Sequence, residues 1–144
     1  MKRAMMLFLC LGCSSGTPGN DGGTGNDGGS NDAMGNPDVG TVNSCTTFTD
    51  DTTGTATITG PSGDTPAQYT PNCVKIKAGQ SVTWNSNFTA HPLQPSAGKG
   101  TTPTPITVTS SGTTVTFAFP NPGTYSFECQ VHPGIMNGAV EVVQ

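Results

Sequence analysis

Thr114-Val-Thr-Phe-Ala-Phe-Pro-Asn-Pro-Gly-Thr-Tyr-Ser-Phe-Glu-Cys129 sets the architecture. Val115, Phe117 and Phe119 fall on one set of alternate positions, and Thr114, Thr116 and Ala118 fall on the other. After Pro120-Asn-Pro-Gly123 the period resumes, with Tyr125, Phe127 and Cys129 sharing a face. Short runs of period two, rich in Val, Thr and aromatics and punctuated by Pro and Gly, mark half-buried strands joined by turns. On either side the pattern repeats. Val74 and Ile76 alternate with Lys75 and Lys77, Val82 and Trp84 flank Thr83, and Val140 and Val142 flank Glu141. Ala78-Gly-Gln80 and Ser110-Ser-Gly112 break the runs, and no stretch keeps a helical period beyond one turn. From Cys45 onward the chain is expected to be all-β, several antiparallel strands forming a sandwich or barrel. Its 144 residues leave room for one domain.

Cys129 closes the alternation, and Gln130-Val-His132-Pro-Gly-Ile-Met136 follows it. A thiolate, an imidazole and a thioether thus share one short loop between two strands. That donor set suits copper, which accepts a trigonal His₂Cys site with a long axial Met and in such sites moves single electrons. The loop supplies one imidazole, and the chain has a single other histidine, His91, to supply the second.

The amino-terminal third has a different character. Met1-Lys-Arg3 is basic and Ala4 to Leu11 is a short apolar run, too brief to span a bilayer. Leu11-Gly12-Cys13 resembles the end of a bacterial lipobox, in which the chain is cut before a cysteine that is then lipidated. Residues 1–12 are expected to be a lipoprotein signal, Cys13 the lipid site, and the protein to be exported and anchored to a membrane. An ordinary secretory signal with an incidental cysteine is the alternative. Residues 13–42 are mostly Gly, Asn, Asp, Ser and Pro with almost nothing to bury, including Gly19-Asn-Asp-Gly-Gly23 and Gly25-Asn-Asp-Gly-Gly29. Such a segment is expected to be a flexible tether spanning on the order of 30 Å, which leaves 43–144 as the folded domain.

The cysteines divide without remainder. Cys10 leaves with the signal, Cys13 takes the lipid, and Cys45 and Cys73 are expected to form a disulfide, as an exported chain permits. Cys129 then stays free for a metal, whereas a bridge from Cys129 to either of the other two would destroy the site. Charge narrows the partners. The chain carries a formal net charge of −4, and its domain has Lys75, Lys77 and Lys99 against Asp50, Asp51, Asp64, Glu128 and Glu141. No basic stripe exists to hold nucleic acid, and no strong field exists to steer a charged partner. Recognition is expected to rest on apolar contact.

Pro122-Gly-Thr-Tyr-Ser-Phe-Glu-Cys129-x-x-His132, followed by Met136 and Gly138-x-Val-x-Val142, resembles the copper loop of plastocyanin-type cupredoxins. Lys77-Ala-Gly-Gln-Ser-Val-Thr-Trp-Asn85, with His91 soon after, is similar to the upstream part of that family. The resemblance covers Cys73 to Val143. It implies a Greek-key β-sandwich of about eight strands with one type 1 copper at an end. It makes His91, Cys129 and His132 the equatorial ligands and Met136 the axial one. It further implies a monomeric carrier that cycles Cu(I)/Cu(II) between larger redox proteins, which dock near His132, around Pro133, Gly134, Ile135 and Leu93.

Three positions depart from the family pattern. Three residues separate His132 from Met136, where plastocyanins have four and amicyanins two. Pro92 follows His91, where an Asn commonly braces the loop by its side chain. Glu128 precedes Cys129, where plastocyanins carry a Tyr implicated in a second electron route.

Other function classes fit less well. Copper buffering or delivery without a redox partner would favour a site rich in extra Met or His, and Met136 is the only Met of the domain. Nitrite reductases and multicopper oxidases need more copper centres than two histidines can build, so the chain is not expected to be an enzyme. Zinc fits the Cys and His donors but would leave the protein colourless and redox-silent.

Overall fold

The computed structural model describes residues 42–63 and 68–144. The signal, the Cys13 lipid site and nearly all of the tether lie outside the described residues. Eight strands form: β1 (Thr49–Asp50), β2 (Ala56–Thr59), β3 (Cys73–Lys77), β4 (Ser81–Asn85), β5 (Leu93–Gly100), β6 (Thr114–Ala118), β7 (Gly123–Cys129) and β8 (Asn137–Val143). The larger sheet runs β1-β3-β8-β7-β5 and the smaller β2-β4-β6. Among the described residues the remaining regular element is a short 3₁₀ turn, Val42–Ser44. The fold is the all-β sandwich expected from the sequence.

Strand direction departs from the antiparallel expectation. β1 pairs with β3, β2 with β4 and β3 with β8 in parallel, while β4–β6, β5–β7 and β7–β8 are antiparallel. The cause is the path of the chain. β2 lies in one sheet between β1 and β3 of the other, and β3 likewise separates β2 from β4, so these two parallel pairs are each joined by a crossover through the opposite sheet, and β3 and β8 are far apart in the chain.

The alternating residues fill the space between the sheets. Val74, Ile76, Val82, Trp84, Phe127, Val140 and Val142 are fully buried. Trp84 sits at the centre, its ring edge-on to Phe127 at 5.2 Å and to Phe117 at 5.7 Å. Edge-to-face aromatic contacts of this kind add about 0.5–1.5 kcal/mol each beyond the area they bury. Tyr69, just before β3, packs edge-on to Phe127 at 5.3 Å and is buried with them. Val115 and Phe117 of β6 are only half-buried, because β6 is an edge strand.

A second, smaller apolar cluster joins Cys45, Cys73 and Ala139. Ala139 alternates with core-facing Val140, so this cluster lies on the other face of the larger sheet. Cys45 and Cys73 are joined there by a disulfide, and Cys129 is free and buried. Lys75 is only half-exposed, and its ammonium pairs with Glu141 across the β3–β8 ladder at 3.2 Å.

Candidate metal centre

Cys129 is the last residue of β7, so the sheet fixes its backbone on the way in. Its N–H donates to the Met136 carbonyl at 2.8 Å, which closes the loop by one more ladder pair. Within the loop the Met136 and Ile135 N–H groups both donate to the His132 carbonyl, at 3.0 and 3.3 Å. The three residues between His132 and Met136 therefore make a single helical-type turn. Gly134 turns it with φ of 80°, a left-handed conformation that glycine adopts without cost. The intermediate spacing is accommodated by a closed turn.

His91 arrives from a separate turn. The Asn87 side-chain oxygen accepts from the N–H groups of Thr89 and Ala90, and the His91 N–H donates to the Asn87 carbonyl at 2.8 Å. The turn delivers a fully buried imidazole just ahead of β5. Its Nε2 lies 2.9 Å from the Gly63 carbonyl. A carbonyl only accepts, so Nε2 carries the proton and Nδ1 keeps its lone pair. That lone pair faces the Cys129 Sγ at 3.8 Å. His132 Nδ1 faces the same sulfur at 3.6 Å, and the two rings lie 5.2 Å apart.

Three donor atoms, from His91, Cys129 and His132, therefore lie within 4.8 Å of one another at one end of the sandwich. Met136 is fully buried and tied by its backbone to Cys129. The donors suit copper: one buried sulfur, two imidazoles held by their Nδ1 atoms, and a thioether four residues beyond His132. The tautomer fixed by Gly63 is the one a metal ligand needs.

A family model of copper-binding proteins, the plastocyanin/azurin family, matches residues 55–143, more than half of the chain. The chain belongs to this family. Copper is accordingly its cofactor. Among solved structures, the purple cupredoxin from Nitrosopumilus maritimus is 28% identical, with a TM-score of 0.47 over 61% of this chain and 99% of its own. A copper-containing nitrite reductase from Thermus scotoductus SA-01 is 19% identical, with a TM-score of 0.47 over 62% of this chain and 22% of its own. A reduced amicyanin variant is 23% identical, with a TM-score of 0.44 over 62% and 83%. No curated protein matches the chain.

The three departures from the cupredoxin pattern have structural answers. The Pro92 carbonyl accepts the Gln130 N–H at 2.8 Å, so a backbone bond links the His91 segment to the loop where an Asn side chain is missing. Glu128 accepts a hydrogen bond from the Gln94 side chain at 3.1 Å. The loop spacing is met by the turn at Gly134. Leu93 corrects an expectation: it is fully buried opposite Cys129 and offers nothing to a partner. Around His132, Val131 and Ile135 are instead the exposed apolar side chains, at 59% and 55%. The Gly63 carbonyl escaped sequence reading, because a backbone acceptor leaves no mark in residue type.

Proposed function

We propose that this cupredoxin is a type 1 copper electron carrier, with His91, Cys129 and His132 as equatorial ligands and Met136 as the axial one. The observation that carries the reading is the convergence of two imidazole Nδ1 atoms on a buried free thiol, at 3.8 and 3.6 Å. Bound copper would supply a one-electron couple. The chain's own residues keep its surroundings constant. The sheet holds Cys129, the Gly63 carbonyl fixes the His91 ring, and the closed turn holds His132 against Met136. Rigid ligands of this kind favour fast electron exchange, because little must move when the oxidation state changes.

His132 is half-exposed, with Val131, Pro133, Gly134 and Ile135 exposed about it. Redox proteins would dock on this small apolar rim, and the carrier would act as a monomer. Two histidines in the whole chain leave no ligands for a second copper centre, which supports a carrier over an enzyme. The lipobox-like Leu11-Gly12-Cys13 supports a lipid anchor at Cys13, with the domain facing the periplasm or the cell exterior. No helix among the described residues is long and apolar enough to cross a membrane.

Voltammetry of the copper-loaded protein tests the carrier reading. A single reversible one-electron wave with fast electrode kinetics is expected. Copper that binds without a reversible wave would favour buffering or delivery, and the carrier reading would be wrong.

A further inference from the structure

We propose that Asn43 is a positioning residue for the metal loop, clamping its base from the outer face of the larger sheet. The inference rests on the reading of Cys129 and its two histidines as copper ligands. Phe127 and Gly138 lie opposite each other in the β7–β8 ladder, two residues below the Cys129–Met136 pair from which the loop springs. The Asn43 Nδ2 donates to both carbonyls, at 3.1 Å to Phe127 and 2.9 Å to Gly138. One amide therefore spans the two strands that carry the loop. The same Nδ2 lies 2.9 Å from the Ser96 Oγ on β5, the neighbouring strand on the other side of β7.

The amide is itself held. Lys99 Nζ donates to Asn43 Oδ1 at 2.9 Å, and the disulfide at Cys45, two residues on, fixes the segment to β3. Asn43 is 6% exposed and sits at φ of 52°, a left-handed conformation that Asn tolerates better than most residues. A buried amide with its donors and acceptor satisfied is a rigid link, since opening it breaks several buried hydrogen bonds at once. Loosening it would let the ends of β7 and β8 open, and with them the sulfur's place between the two imidazoles.

The test is Asn43→Gly, which keeps the left-handed backbone and removes only the amide. In metal-free protein, amide exchange at Cys129 and Gln130 is expected to quicken about tenfold relative to the β4–β6 ladder. In loaded protein, copper loss to a chelator is expected to quicken about tenfold, with a changed copper hyperfine coupling. Wild-type exchange at the loop, or an equal acceleration across both sheets, would mean that Asn43 serves stability alone and would overturn the proposal. Lys99→Met, an exposed change, is expected to give the same pattern at smaller amplitude and serves if Asn43→Gly does not fold. A wild-type protein that stays colourless with Cu(II) would reject the ligand reading, while the exchange comparison would still judge the clamp.

Discussion

At His91 the ring is fixed from two sides, by the Gly63 carbonyl on Nε2 and by the Cys129 sulfur facing Nδ1. Cys129→Ala is expected to abolish the copper colour while leaving the fold, read by visible absorption and circular dichroism. Met136→Leu is expected to keep the colour and raise the reduction potential in voltammetry, since the axial donor tunes the couple. Tyr69 offers a test of a different sort. Its hydroxyl is buried without a hydrogen-bond partner among the described residues, and burial, reinforced by the Cys129 charge, pushes the phenol above its ordinary range. A raised folded value means stability that is complete below about pH 10, the ordinary tyrosine value, and lost as pH rises beyond it. Tyr69→Phe removes that loss and leaves no partner stranded. It is expected to be neutral or to stabilise by up to about 1 kcal/mol at pH 7, and by more above pH 10, in denaturant titrations. The metal donors were legible because Cys, His and Met are scarce in this domain. Asn43 was not, because an Asn at the first position of the domain, next to an Asn- and Gly-rich stretch, carries no local mark of the distant carbonyls it binds.

At the scale of elements, the junction of β3, β7 and β8 has little room. A Cβ on Gly138 would collide with the Asn72 carbonyl and press on the Phe127 ring. Gly138→Ala is expected to cost about 1–3 kcal/mol through forced backbone shifts, and to disturb the nearby loop as well. Equilibrium unfolding together with the copper charge-transfer band checks both. The faces of these strands were legible from Val74 to Val142, because burial alternates with period two whatever the neighbour. The neighbour was not. Period two is the same for a parallel and an antiparallel partner, so the β3–β8 and β2–β4 pairings were invisible until the crossovers were seen. Lys75 and Glu141 carry a trace of the first, as opposite charges facing across that ladder.

Across the whole molecule, the amino-terminal segment and the metal end are joined through one sheet. Replacing Cys45 and Cys73 together by Ser is expected to cost about 3.5 kcal/mol on the loop-entropy estimate for a separation of 28 residues, measurable as a lower denaturation midpoint. The all-β class and the place of the site could be read from sequence because the chain's alternation and its donor types are local. The docking of residues 42–45 on the far face of the sheet is a long-range fact, and no local pattern announces it. What matters most is that two distant imidazoles and one thiol meet only in the folded sandwich. Titration of the purified protein with Cu(II), followed by absorption and electron paramagnetic resonance, tests this most directly. An intense blue band that saturates at one copper per chain, with the narrow hyperfine splitting of a copper–thiolate centre, is expected. A colourless protein, or copper bound without the thiolate band, would contradict it.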